Sequence, residues 1–213
     1  MSITRRDILA GTVGLGLAGI AGGAFLLSMD RGASKAAALS VQDVLHDPDN
    51  PVLGNPKGAL TIVEYFDYQC PFCKRGHSML TRVVDEDGDI RLVMKDWPIF
   101  GAPSVRASQL VLGASSTGEY EKAHSALMAT EAKLSEGQIR QVLRDGGIDP
   151  DASLAAYRAD RGKWDGLLSR NSAQAGELGL QGTPAFIVGA KIYPGALDET
   201  GLRAIIADAR AAA

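Results

Sequence analysis

Only two cysteines occur in the 213 residues, Cys70 and Cys73, so a framework of several structural disulfides is excluded and any thiol chemistry belongs to one pair. A second C-x-x-C is absent as well, which leaves a structural zinc site without its usual four ligands. Basic residues are not in surplus. The 22 Lys and Arg stand against 25 Asp and Glu, a net charge of −3, and no basic stripe offsets this locally. Nucleic-acid binding, which needs cations to displace counterions from phosphate, is therefore excluded as a function class. The sequence also lacks internal repeats and low-complexity domains. At 46% hydrophobic and 22% charged it can build a core, and its length suits one domain plus an appendage.

The appendage is at the amino terminus. Paired arginines, Arg5 and Arg6, precede 22 residues from Ile8 to Met29 without a charge, and six glycines in that run lower its hydrophobicity below that of a firm membrane span. Residues 1–38 read as an export signal of twin-arginine type, with a Sec-type signal as the competing route. A small-residue cleavage site lies at Ala36-Ala37-Ala38. An uncleaved membrane anchor and a buried core helix are the alternatives, since 22 residues at about 1.5 Å each just cross a hydrocarbon layer. Removal of residues 1–38 leaves 18 basic against 23 acidic residues. Export places the cysteines where a disulfide persists.

Residues 39–213 read as one α/β domain. Residues 39–58 are a helical or irregular lead-in rich in turn signals, ending in Gly54-Asn55-Pro56. Residues 60–66 form a continuous β-branched and aromatic run, expected to be a strand covered on both faces. Pro71 opens a helix running to about Glu86, which Asp87-Gly88 stops, and residues 90–97 form a second strand. Strand, helix and strand make a βαβ unit. A helical insert is expected over about 101–178, with Ser135 and Gln138 as a capping box and Asp149-Pro150 as another helix start. Residues 185–188 and 191–193 are short strands joined at Gly189-Ala190, a two-residue link suited to a tight hairpin, and a terminal helix covers about 197–210.

The C-x-x-C falls at the strand-to-helix junction. This places Cys70 at the helix amino terminus, where unpaired backbone N–H groups and the helix dipole favour a thiolate. Cys70 is the expected nucleophile, exposed and easily ionised, and Cys73, one turn further in, is placed to resolve a mixed disulfide or to close a ring with Cys70. Two other readings stand beside this one: an inert structural disulfide, and a thiol module for copper or zinc.

The run Glu64-Tyr65-Phe66-Asp67-Tyr68-Gln69-Cys70-Pro71-Phe72-Cys73, with Lys95-Asp96-Trp97-Pro98 and Gly182-Thr183-Pro184 further along, resembles the DsbA-like branch of the thioredoxin superfamily over about residues 40–210. The resemblance implies a thioredoxin fold with an inserted helical subdomain and extracytoplasmic thiol–disulfide exchange. It implies that Thr183-Pro184 is a cis peptide facing the cysteines, with Thr183 holding an extended client segment by strand addition while Cys70 attacks. It also implies a buried acid at Glu64 that exchanges protons with Cys73, with Lys95 as its charge partner on the neighbouring strand. A purely structural neutralisation of Glu64 by Lys95 is the competing reading. Asp67 and Tyr68 are expected to shape the loop before the helix, and Phe72 to offer clients an apolar contact. The strongest oxidants of the family carry His where this chain has Phe72, so a less oxidising couple is expected. His77, four residues beyond Cys73, reads as a solvated surface histidine or as a partial substitute for that missing charge partner.

The expected activity is that of an enzyme without a cofactor or bound metal: a periplasmic thiol:disulfide oxidoreductase that introduces disulfides into cysteine-containing exported proteins and is reoxidised by a membrane redox partner. The alternative within the same chemistry is an isomerase or reductase kept reduced. Residues 39–58 are too few for a separate dimerisation domain, which favours a monomer over an oligomer.

Overall fold

The computed structural model describes residues 40–131 and 133–212, so the expected export segment at residues 1–38 lies outside the described residues. The chain enters through helix α1, Val41–His46, capped by Ser40, whose Oγ accepts from Asp43 N at 3.0 Å. Strand β1, Val52–Gly54, follows. The expected lead-in thus contains an edge strand, too short at three residues to show any periodicity. Gly54 has φ +68°, and a Cβ there would lie 2.5 Å from Val84 Cγ1 and 2.7 Å from the Ile90 carbonyl oxygen, so the strand can end here only on glycine.

Strand β2, Leu60–Phe66, leads through helix α2, Pro71–Asp87, to strand β3, Ile90–Asp96. β2 and β3 run parallel, with Leu60 opposite Ile90 and Phe66 opposite Asp96. Gly88, at φ +70°, ends α2 and donates its N–H to Val84 O at 3.1 Å. The helices between the sheet halves are α3 (Ala102–Ala114), α4 (Tyr120–Met128), α5 (Glu136–Asp145), α6 (Pro150–Ala159) and α7 (Arg161–Glu177). α5 starts on the Ser135/Gln138 capping box and α6 on Asp149, which accepts from the amides of Asp151 and Ala152. α3 and α6 approach so closely at Gly113 that a Cβ would meet the Ser153 carbonyl at 1.9 Å.

Strands β4, Ala185–Val188, and β5, Lys191–Pro194, form a hairpin through Gly189 at φ +60°, and helix α8, Glu199–Ala211, ends the described chain. The sheet order is β1-β3-β2-β4-β5, with β2 central and only the β2–β3 pair parallel. Both faces of β2 are buried. Ile62 and Phe66 pack with α2, α8 and the helical insert, whereas Val63 and Tyr65 pack with Val44, Val93, Ala175 and Ile187. This alternation decides which face of the sheet each polar residue joins.

Candidate active site at the start of helix α2

Cys70 is the N-cap of α2, with extended backbone (φ −77°, ψ 117°) and Pro71 in the first helical turn. Its sulfur does what an N-cap oxygen normally does, accepting the Cys73 N–H at 3.5 Å. From the other side of the site its thiol donates to the carbonyl oxygen of Thr183 at 3.2 Å, and the Thr183–Pro184 peptide is cis, as expected. Both cysteines are free thiols, and both are buried at 1% exposure. The expected open position of Cys70 is therefore corrected: the Thr183 segment lies against its sulfur, and ease of ionisation, not exposure, sets the two thiols apart.

That difference is large. A hydrogen bond from the Cys73 side chain, aided by Thr183 and by the amides of Cys73 and Phe72, outweighs desolvation and holds the Cys70 thiol down at about 6. Burial pushes the Cys73 thiol far above the ordinary thiol range, and the adjacent Cys70 sulfur and Glu64 carboxyl push it the same way. Near neutral pH Cys70 is mostly thiolate and Cys73 holds its proton.

Glu64, in β2, is buried and lines the same groove as Cys73, Phe72 and Pro184. Burial first, and then the charge of Cys70, push its carboxyl up to about 8, and its Oε2 has no hydrogen-bond partner among the described residues. It is thus protonated at neutral pH in a place where the proton can serve Cys73.

The expected Glu64–Lys95 pair is not formed. Parallel pairing sets Glu64 opposite Met94 and Lys95 opposite Tyr65, so the two side chains emerge on opposite faces of the sheet. Lys95 is fully buried beneath α7, donating to Gln174 Oε1 at 2.8 Å and Asn171 Oδ1 at 3.4 Å, and burial lowers its ammonium to about 8. The Lys95 group ties β3 to α7, away from the sulfurs.

His77 is corrected too. α4 covers it, its ring centroid lies 4.8 Å from that of buried His124, and desolvation lowers it to about 4. A neutral imidazole gives Cys70 no charge partner. Phe72 is 52% exposed at the rim, with the Arg75 guanidinium 4.5 Å above its ring centroid.

Two residues carry more than the sequence showed. The Asp67 carboxylate accepts from the amides of Gln69 (2.7 Å), Ile99 (2.6 Å) and Phe100 (3.1 Å), while its carbonyl accepts the Cys70 N–H at 3.0 Å. Gln69 pairs with the main chain of Leu134 like a length of strand, through bonds of 2.7 and 3.0 Å. The expected loop-shaping role of Asp67 is thus borne out, whereas the only sequence signal for Gln69 is adjacency to Cys70. Asp96, at the end of β3, is a further buried acid, pushed up to about 7 by desolvation. Among the described residues no three His, Cys, Asp or Glu side chains converge as a metal site.

A family profile described as DSBA-like thioredoxin domain matches residues 61–207, which includes both cysteines, Glu64, Lys95 and the Thr183-Pro184 segment. The chain belongs to the DsbA-like thioredoxin family. A thioredoxin-like oxidoreductase from Silicibacter pomeroyi is similar to this DsbA-like chain at 35% identity and a TM-score of 0.77, covering 82% of this chain and all of that one. The thiol-disulfide exchange protein alpha-DsbA2 from Wolbachia pipientis is 25% identical with a TM-score of 0.72, covering 78% of this chain and 90% of its own. A periplasmic thioredoxin-like protein from Salmonella enterica serovar Typhimurium is 27% identical with a TM-score of 0.68, covering 80% and 95%. Curated relatives named as Na(+)/H(+) antiporter NhaA, one from Salinispora tropica, match 78% of this chain at 24% identity, and the match spans only 26% of their length. The fold is accordingly the thioredoxin fold with a helical insertion, and the enzyme class is thiol–disulfide oxidoreductase.

Proposed function

We propose that this DsbA-like protein works outside the cytosol as an oxidase, passing its Cys70–Cys73 disulfide to cysteine-containing exported proteins. The observation that carries the reading is the split between the two thiols, Cys70 held at about 6 and Cys73 held far above it. A stabilised Cys70 thiolate favours the dithiol over the disulfide, and each unit by which a thiol falls below its usual pKa is worth roughly 1.4 kcal/mol, or about 30 mV, towards oxidising power. Cys70 is also the better leaving group when a client's second thiol displaces it.

A client thiolate attacks Cys70 of the disulfide, forming a mixed disulfide and releasing Cys73, which takes up a proton in the groove it shares with Glu64. A second client thiolate attacks the client sulfur and expels Cys70 as thiolate. The client has lost two electrons and the protein has gained them. A membrane redox partner then accepts both electrons and restores the disulfide. The paired arginines and uncharged run ahead of residue 38 support export, and among the described residues no helix is long and apolar enough to cross a membrane.

One observation favours the second reading, an isomerase or reductase kept reduced: Phe72 and neutral His77 give the Cys70 thiolate no cationic imidazole. The ratio of dithiol to disulfide across a glutathione series, read beside the state trapped by acid in cells, separates the two. A mostly oxidised resting protein with a glutathione midpoint in the oxidising range is expected, and a mostly reduced one would establish the second reading instead.

A further inference from the structure

Two exposed aromatic side chains, each beneath a cation, stand on the segments that meet at the Cys70 loop. On the α2 side Phe72 carries Arg75, at 4.5 Å from guanidinium carbon to ring centroid. On the segment after β3 Phe100 carries Lys133, whose Nζ lies 5.4 Å from the ring centroid. Phe100 is held to the nucleophile's own loop, since Asp67 binds its amide through the carboxylate and the Cys70 amide through the carbonyl. Lys133 is held beside the same loop by its neighbour Leu134, paired to Gln69. Both residues are 43–52% exposed, large apolar surfaces on the two segments joined to the Cys70 loop.

The charge around this rim runs against the charge of the molecule. Neither Arg75 nor Lys133 has a carboxylate within ion-pair distance among the described residues. Lys74, whose Nζ donates to Thr130 Oγ1 at 2.8 Å, lines the adjoining groove with Arg75, and the acid in that groove is Glu131. The buried Asp67 carboxylate, held by three amides, keeps its charge and acts on Lys74, not on the two ring-bound cations. Two exposed-rim cations, Arg75 and Lys133, therefore stand over the aromatic rings with Glu131 as the acid of the adjoining groove, on a chain whose net charge is −3. A cation fixed over an aromatic ring keeps its outer side for an anion, while the ring offers area for an apolar neighbour.

We infer that the rim of the Cys70 site selects extended client segments in which acidic residues flank the reacting cysteine. The inference rests on the exchange reading of Cys70 and adds a substrate preference to it. Its source is electrostatic steering and contact at the rim, so it weakens as salt rises.

The test uses the oxidised full chain and three dicysteine peptides that differ only in flanking Glu, Gln or Lys. Each reaction turns a peptide dithiol into its disulfide and the Cys70–Cys73 disulfide into the dithiol, two electrons and two protons passing to the protein. An acid beside a cysteine raises the thiol pKa and slows the peptide on its own account. Each rate is therefore divided by the same peptide's rate with 2-hydroxyethyl disulfide, and each protein's rates by its rate with neutral dithiothreitol.

On that scale the Glu peptide should outrun the Lys peptide by about tenfold in about 20 mM salt and by less than about twofold in about 500 mM. The R75E/K133E chain should reverse the order. Equal rates at low salt, or an order unchanged in R75E/K133E, would overturn the inference while leaving the exchange reading intact. A chain inert towards dithiothreitol and the Gln peptide alike would overturn both.

Discussion

The Cys70 thiol donates to the main-chain carbonyl of Thr183 at 3.2 Å, joining two residues 113 apart in the chain. That bond needs the thiol proton, so ionisation of Cys70 removes it. The Thr183 hydroxyl, buried and otherwise without a partner, is then the donor at hand, and the Thr183 side chain is among the groups that hold the Cys70 thiol down. One residue thus fixes the protonated sulfur through its carbonyl and favours the ionised one through its hydroxyl.

Thr183→Val keeps the shape and removes the hydroxyl. A hydrogen bond to a charged group is worth about 1.5 kcal/mol, so the Cys70 alkylation midpoint should rise by about one unit. The pH dependence of iodoacetamide labelling measures this, and an unmoved midpoint would assign the low value to the Cys73 side chain and the helix-start amides without Thr183.

Glu64→Gln should slow release of Cys73 by about tenfold through loss of the exchangeable proton, with mixed-disulfide lifetimes as the readout. It should also change stability with a definite sign. The Glu64 carboxyl is raised from 4.5 unfolded to about 8 folded, so between those values the native state binds the extra proton and stability falls as pH rises. At pH 7 that loss is roughly 3 kcal/mol. Urea titrations of Glu64→Gln should lack this component.

Lys95→Met should leave the Cys70 labelling midpoint where it is, because the ammonium sits on the far face of the sheet with Gln174 and Asn171. Its pKa is lowered from 10.5 to about 8 on folding, so the unfolded chain binds more protons in that interval and stability rises with pH through it. The rise should vanish in Lys95→Met. A shift of the Cys70 midpoint instead would restore Lys95 to the reaction.

Asp67→Ala strips the acceptor from the amides of Gln69, Ile99 and Phe100 and should cost about 3 kcal/mol of stability, with Asp67→Asn losing less because one amide oxygen remains. Chemical denaturation measures both. Equal losses would mean that the loop needs the charge itself.

Much of this arrangement is legible in the sequence, and the parts that are not share one cause. Strands β2 and β3, the α2 boundaries and the caps at Ser135 and Asp149 follow from local pattern and punctuation, so they needed no knowledge of the fold. The position of Cys70 at the head of α2 followed in the same way. The partner of Lys95 is hidden from the sequence because it depends on register: in a parallel pair set 64 to 94, residue 95 must turn to the opposite face. The burial of His77 is hidden too, because its cover comes from α4, more than forty residues away in the chain. The clasp of Gln69 on Leu134 spans 65 residues and leaves no local trace. Glu64, by contrast, stood out as an acid within an apolar strand, and its place beside Cys73 came only from family likeness.

Exchange at this site depends on unequal ionisation of two adjacent thiols, and alkylation of the reduced protein against pH measures it directly. Labelling at Cys70, read by mass spectrometry, should rise with a midpoint near 6 while Cys73 stays unlabelled through the neutral range. A Cys70 midpoint in the ordinary thiol range of about 8.5, or labelling of both sulfurs together, would contradict it.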